Sequence, residues 1–178
     1  MAMVGLFWIA EGDVYVGAKP TGLAPGVRLA PEGVMGLGDG QSTLHLWEDV
    51  RALTLADVPM KSFMRQAGKA GGVALETVMN LVLPERPLRA GEAPPAMTLH
   101  VETHDGDHRL TAYAAAASGY SSTEAGLSGA LLSRLTEGAA TMSTTLAAMS
   151  DWGRRTEGGS PRGAERERLL RQWADQGS

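Results

Sequence analysis

Three short acidic-glycine signals, each set between two runs of strand-forming residues, constrain the fold of this chain most strongly. They are Glu11-Gly12, Asp39-Gly40 and Asp105-Gly106. Glycine and aspartate tolerate the positive φ angles that tight hairpin turns require. Because β-branched, aromatic and aliphatic residues flank each signal, each one predicts a hairpin. Three hairpins in one chain predict an antiparallel β-meander.

The runs around these turns predict six strands, at residues 3–10, 14–16, 34–37, 43–47, 97–103 and 109–113. A further alternating run over residues 51–58 brings the expected total to about seven strands. Residues 73–83 form a longer apolar run, which predicts a central strand or a strand pair, with a short helix as the alternative. Four prolines between residues 84 and 95 predict an extended surface loop.

The register of the last hairpin follows from its turn. If Asp105-Gly106 is a two-residue turn, Val101 pairs with Leu110, and Glu102 lies opposite Arg109. A four-residue loop would keep the same side chains on the same faces, because side chains alternate along a strand. The sequence leaves these two registers open.

Helical patterns replace the strand patterns after Ser121. Ser121 and Glu124 have the spacing of a capping box, which marks a helix N-terminus. Four leucines follow at helical spacing: Leu127, Leu131, Leu132 and Leu135. Gly138 is expected to interrupt or end this helix, and a second apolar series follows it: Met142, Leu146, Met149 and Trp152. A Gly/Pro/charge-rich linker over residues 153–163 precedes a short amphipathic helix at residues 164–175.

Length and composition limit the class of protein. At 178 residues the chain fits one domain with an appendage, and we divide it into a β-barrel with its capping helix (1–137) and a helical tail (138–178). The chain has no cysteine, which excludes disulfides, thiolate catalysis and cysteine-based zinc sites. A net charge of −4 argues against broad nucleic-acid binding. With no signal peptide or long apolar run in this sequence, we expect a soluble, cytoplasmic protein.

Three segments together resemble a known family. Residues 44–53 (Leu-His-Leu-Trp-Glu-Asp-Val-Arg-Ala-Leu) are similar to the W-x-D/E-V/I entry into a barrel strand of bacterial pleckstrin-homology-like domains. Residues 98–106, followed by a strand and a leucine-rich helix, give the second similarity. Residues 5–9 and 14–17 resemble proteins of this kind from high-GC Gram-positive bacteria.

The resemblance covers about residues 3–137. It implies a mainly β fold: an antiparallel split barrel capped by a C-terminal helix, with the further helical tail beyond it. It also implies a binding or scaffolding module, since some members recognise lipid headgroups or peptides. The phosphoinositide-binding members carry Lys and Arg in the loop between their first two strands, whereas residues 10–13 of this chain are acidic. Inositol-phosphate binding at that loop is therefore not expected.

A possible metal site lies on one predicted strand. His100, Glu102 and His104 alternate, so their side chains share a face, and imidazoles with a carboxylate suit Zn²⁺. Neighbours on that face are about 7 Å apart, which is awkward for joint coordination. A solvated outer face is the favoured interpretation.

Two further sets of residues are candidate contacts. Lys61 and Arg65, with Phe63 and Met64 beside them, could touch an anionic membrane if residues 60–69 form a helix. An ordinary inter-strand loop is the alternative. In the tail, an apolar stripe predicts a protein partner or self-association, unless it folds back on the barrel: Leu169, Leu170 and Trp173.

Catalytic motifs are not apparent in the sequence. Gly36-x-Gly38-x-Gly40 precedes a second strand rather than a helix, so it predicts a hairpin turn and not a phosphate site. No Gly-x-Ser-x-Gly sequence occurs. The sequence thus predicts a non-catalytic intracellular protein-interaction or scaffolding module without a cofactor. Peripheral membrane binding is the alternative, and a metal protein or enzyme is the third hypothesis.

Overall fold

Two antiparallel β-sheets followed by three helices form the part of the chain that the computed structural model describes, which is residues 2–61, 95–116, 119–156 and 158–176. The first sheet has six strands in chain order: β1 Ala2–Val4, β2 Phe7–Ala10, β3 Asp13–Val16, β4 Gly26–Leu29, β5 Gly33–Leu37 and β6 Leu44–Leu46. The second sheet has three strands: β7 Val50–Ala56, β8 Ala96–Thr103 and β9 Gly106–Tyr113. The helices are α1 Ser122–Leu135, α2 Ala139–Arg155 and α3 Gly163–Asp175.

The predicted antiparallel meander is confirmed in the first sheet. Ala10 pairs with Asp13 across the Glu11-Gly12 turn, where both turn residues have positive φ angles of 55° and 90°. The hairpin around Asp39-Gly40 joins β5 to β6, with Gly33 opposite Leu46. Acidic and glycine residues therefore mark these turns because they accept the backbone conformation that the turns need.

The single strand predicted over residues 3–10 is wrong, because the chain reverses in its middle. Val4 pairs with Phe7 across a turn at Gly5-Leu6. Gly5 has a φ angle of +59°, and a side chain there would meet Ser128 and Leu170. The Leu6 amide donates to Ser128 Oγ at 3.0 Å, so this turn is fixed by a helix that lies more than a hundred residues later.

The last hairpin, whose register the sequence left open, does not turn at Asp105-Gly106, and its pairing is shifted by two residues from the one which that turn would give. Thr103 pairs with Gly106, so His104 and Asp105 form the turn and the glycine follows it. The Thr103 hydroxyl stabilises this arrangement: it donates to the Gly106 carbonyl at 3.0 Å. Glu102 therefore lies opposite Asp107 rather than Arg109. A shift of two keeps every side chain on its predicted face, and Leu99 meets Leu110 in the core.

One side-chain amide joins the two sheets. Gln41, in the β5–β6 hairpin, donates from Nε2 to the Thr111 carbonyl at 2.8 Å and accepts the Thr111 amide at Oε1, also at 2.8 Å. The same nitrogen lies 3.0 Å from the carbonyls of Gly26 and Leu37. Thr111 lies on β9, an edge strand of the second sheet. Gln41 thus pairs with that edge as a neighbouring strand residue would.

The sheets do not close into the predicted split barrel of about seven strands. The described residues contain nine strands in two separate sheets, and the β9 edge meets the first sheet through Gln41 and through the Ala18 amide, which donates to the Tyr113 carbonyl at 2.7 Å. Two local contacts thus take the place of the continuous ladder of main-chain hydrogen bonds that a closed barrel needs. The mainly antiparallel β class and the C-terminal helices are as predicted.

The predicted first helix begins where the capping signal places it. The Ser121 hydroxyl accepts the Glu124 amide at 3.1 Å. Gly138 lies between α1 and α2, where it serves as the N-cap of α2. The linker predicted over residues 153–163 is shorter than expected, since α2 continues to Arg155. Gly153 makes this possible because it lies against Ile9, where a side chain would clash.

The helix α3 is held against α1 by an ion pair that is almost fully removed from water. Glu124 and Arg166 are 3% and 14% exposed, and the Arg166 guanidinium donates to the Glu124 carboxylate. At the other end of α3, Arg134 donates to the Gln176 carbonyl at 2.6 Å. The largest buried cluster includes side chains from both sides of Gly138, where the sequence analysis divided the chain. Among the described residues, none of the helices has the length and apolar character needed to cross a membrane.

The junction between the sheets gives a first prediction. Replacing Gln41 by alanine leaves the amide and carbonyl of Thr111 without a partner, and each such group costs about 1–3 kcal/mol. We expect Gln41→Ala to lower the free energy of unfolding by roughly 2–4 kcal/mol in urea titrations. The matched control is Ser42→Ala, because the exposed Ser42 hydroxyl makes one bond at the same turn. A Gln41→Ala loss no larger than that of the control would contradict the assignment.

Candidate interaction surface

A row of large side chains crosses the outer face of the six-stranded sheet, and at its β1 end it packs against a smaller buried cluster. The pairing register aligns one residue from each strand: Met3, Trp8, Tyr15, Arg28, Met35 and Leu44. These alternate with the inner residues that fill the core, since side chains on a strand point to opposite faces in turn. Tyr15 is buried, and the side chains become accessible toward β6, where Leu44 is 44% exposed.

The centre of this row carries an ion pair. Arg28 Nη2 lies 2.6 Å from Asp13 Oδ1, and the two side chains are 35% and 41% exposed. Arg28 Nε and Trp8 Nε1 are buried and have no hydrogen-bond partner among the described residues. An exposed ion pair of this kind contributes at most about 1 kcal/mol to stability. The two donors without a partner are buried, and each such donor costs about 1–3 kcal/mol.

The strand β6 forms the exposed end of this surface. Leu44 and Leu46 are 44% and 39% exposed, and they lie on the outer face opposite Met35 and Gly33. Large apolar residues on a sheet edge are unusual in proteins that avoid association. Sequence reasoning placed a strand here but gave no face to its leucines, because the alternation Leu-His-Leu does not say which residues the second sheet covers.

The main chain of β6 is paired on one side. The Gly36 amide donates to the Thr43 carbonyl at 2.8 Å, and the Trp47 amide donates to the Glu32 carbonyl at 3.3 Å. Alternate residues of an antiparallel strand bond to the same neighbour. The amides of Leu44 and Leu46 and the Leu44 carbonyl therefore point away from β5. Within the described part of the chain they have no main-chain partner.

The surroundings of this edge are acidic. Residues 29–50 contain four carboxylates and neither Lys nor Arg. Glu32 and Glu48 are exposed in the two turns at one end of β6, and Asp39 is exposed in the hairpin turn at the other end. The apolar edge thus lies between two negatively charged ends.

The residues considered as metal ligands in the sequence analysis each contact a different neighbour. His100 Nδ1 lies 3.5 Å from Asp107 Oδ2, and Glu102 lies opposite Asp107. His104 belongs to the turn, where its Nδ1 accepts from Arg51 Nε at 2.8 Å. In the described ranges, no three His, Asp or Glu side chains gather closely enough to hold a metal ion. The predicted alternation is present, but each side chain goes to a different neighbour.

The predicted membrane segment is mostly outside the described residues. Phe63, Met64 and Arg65 lie there, as do residues 73–83 and most of the predicted loop that follows. Lys61 is described: its amide donates to the Tyr120 carbonyl at 2.9 Å, beside a bridge between Met60 and Tyr120. Membrane contact through these four residues stays a prediction.

The apolar stripe of the tail is in the core of the chain. Leu169, Leu170 and Trp173 are 3%, 0% and 2% exposed. Trp173 meets Trp152 of α2 edge to face, with ring centroids 5.8 Å apart. These three side chains are therefore not on a surface that a partner can reach while α3 is docked. The alternative that the tail folds back on its own chain accounts for their position.

Comparison with known proteins adds no relative: no family model, no curated protein and no solved structure matches this chain. The similarity to pleckstrin-homology-like domains therefore stays a prediction from the sequence.

The docking of α3 gives a second prediction. Trp173→Ala removes a buried indole and leaves a cavity, which costs about 3–5 kcal/mol. We expect this loss in the free energy of unfolding, with no change of mass by light scattering. Gln172→Ala, its exposed neighbour, serves as the control. Unchanged stability together with a fall in mass from oligomer to monomer would instead make Trp173 a contact between chains.

Proposed function

We propose that this chain is a non-catalytic protein-interaction module that binds an extended segment of a partner protein along the free edge of β6. The observation that carries the proposal is the combination of outward-pointing main-chain groups on Leu44 and Leu46 with their exposed apolar side chains. An added strand satisfies main-chain groups of this kind, and its alternate side chains give specificity.

The neighbouring side chains support a protein ligand. Met and Arg are enriched at the centres of protein interfaces, and Met35 and Arg28 continue the row from Leu44 across the sheet. A strand added beside β6 extends this row by one position. Its outward-facing apolar residues would cover the two leucines, and burying one leucine side chain is worth about 1.5–3 kcal/mol.

The negative charge at the two ends of β6 favours a partner with basic residues. Exposed carboxylates stand at both ends of β6, at Glu32 and Glu48 on one side and Asp39 on the other. Complementary charges steer association and disfavour like-charged partners. The proposed ligand is therefore a short extended segment with alternating apolar residues and with Lys or Arg at its ends.

The sequence resemblance supports a binding role rather than a catalytic one. Residues 44–53 carry both the similarity to pleckstrin-homology-like domains and the strand whose edge is free. Antiparallel sheets followed by C-terminal helices agree with such a module in outline. We include membership of that broad class in the proposal.

Peptide selection tests the proposal directly. Random peptides of about twelve residues, displayed on phage, are selected against the immobilised full chain. We expect the selected peptides to alternate apolar residues and to carry basic ends. Leu44→Thr/Leu46→Thr should weaken their binding about tenfold or more, because it removes apolar contact while it keeps strand propensity. Isothermal titration calorimetry measures the change.

A control variant and peptides with methylated amides test whether the peptides bind by strand addition at β6. Leu23→Thr changes a leucine that is 77% exposed and lies in the loop between β3 and β4, so peptide affinity should not change. Methylating peptide amides one at a time should abolish binding at alternate positions only. Peptides that tolerate methylation everywhere, or that bind the double variant equally well, would contradict strand addition. A concentration-dependent mass that the double variant abolishes would point to a second copy of this chain as the ligand.

A further inference from the structure

Two histidines from different sheets touch at the seam beside β6. The rings of His45 on β6 and His108 on β9 have centroids 4.5 Å apart and are tilted by 36°. Each side chain belongs to the inner face of its sheet, because His45 pairs with the buried Val34 and His108 pairs with the buried Val101. The contact therefore lies at the margin of the core, where His45 is half-buried and His108 is exposed.

Few other polar groups face this pair. Thr43 Oγ1 lies 3.3 Å from His45 Nε2. The residues that face the pair from β5, β8 and β9 are apolar: Val34, Val101 and Leu110. Because side chains alternate along β9, the charged neighbours of His108 lie on the opposite face, where Asp107 approaches His100 and Arg109 lies opposite it.

Carboxylates lie in the neighbouring turns, but they do not offset the lowering of the pKa of His45. Glu32, Glu48 and Asp49 lie in the turns at one end of β6. Burial lowers the pKa of His45 below its ordinary value of 6.5, and the nearby His108 lowers that pKa further. Both causes act against the protonated imidazole.

We propose that the His45–His108 pair is an acid-sensitive contact between the two sheets. The contact opens when both imidazoles are protonated, and β6 then separates from β9. While the rings are uncharged they touch at a tilt of 36°, and the contact between the sheets is closed. Two imidazolium ions in the same position repel each other with no anion between them. Without its contact to β9, the end strand β6 separates more readily from β5.

The direction of the pH dependence follows from linkage. A histidine whose pKa is lower in the closed form than in the open form binds a proton more readily when the seam is open. The free-energy difference that favours the closed form over the open form is therefore largest above about pH 6.5. It decreases as the pH falls toward the lowered pKa of His45. The contact between His45 and His108 responds to acid in this way whether or not the β6 edge binds a partner.

Amide hydrogen exchange measures the opening. The register places the main chains of His45 and Val34 in a hydrogen-bonded pair, so their amides report the attachment of this edge. In the full chain we expect their protection, corrected for the intrinsic exchange rate, to fall about tenfold between about pH 7.5 and pH 5.5. The Trp8 and Tyr15 amides, in a hydrogen-bonded pair between β2 and β3, should keep their protection.

Variants separate the seam from a general effect of acid. His108→Asn should remove most of the acid-induced loss at His45 and Val34. His100→Asn is the matched control, since His100 lies beside Asp107 on the opposite face of the same sheet, and it should behave as the unchanged chain does. An equal loss of protection in His108→Asn, or no loss in the unchanged chain, would overturn the proposal.

A direct titration keeps the test decisive if a variant folds poorly. Ring carbon-bound proton signals of the four histidines are followed by NMR against pH. His45 should titrate below its ordinary pKa in the unchanged chain, and the pKa of His45 should rise in His108→Asn. Titration of His45 at its ordinary value, unaffected by His108→Asn, would also overturn the proposal.

Discussion

The apolar inner face of the six-stranded sheet has to be covered, and the described elements that follow it in the chain pack against it. Two rows of buried side chains cross that face, from Val4 and Phe7 on the first strands to Val34 on β5. The second sheet covers the end near β4, while α2 and α3 cover the end near β1 to β3. Burial at about 25 cal/mol per Å² makes leaving either half open unfavourable.

Polar groups at the margins of this core specify where each covering layer lies. Gln41 bonds to the β9 main chain and so fixes the second sheet at one place. At the opposite end Glu124 and Arg166 form a nearly dry ion pair, which requires α3 to dock in one orientation. Breaking a buried pair by removing one partner is far more costly than the pair is worth in water. Both contacts are long-range, and both tie later elements to the first sheet or to α1.

No polar side chain bonds to the outer edge of β6 among the described residues. Gln41 and Ala18 occupy the edge of β9, whereas Leu44 and Leu46 present apolar side chains beside outward-pointing amides. On the inner side of the same strand His45 meets His108 rather than a covering aliphatic residue. The proposed strand addition and the proposed acid-sensitive contact both concern β6 for one reason. β6 is the last strand of the first sheet, and the buried core ends beside it.

The sequence by itself determined the local elements: the turns at Glu11-Gly12 and Asp39-Gly40, the mainly antiparallel class, the Ser121 cap and the apolar helical stripes. These depend on backbone conformation and on periodicity, which neighbouring residues decide. It did not determine the turn at Gly5-Leu6, whose amide bonds to Ser128. Nor did it show that Trp173 is buried, that Gln41 joins the sheets or that the leucines of β6 face outward. Only the tertiary structure decided those, because each depends on a contact between residues far apart in the chain, and spacing along a sequence carries no information about such distances.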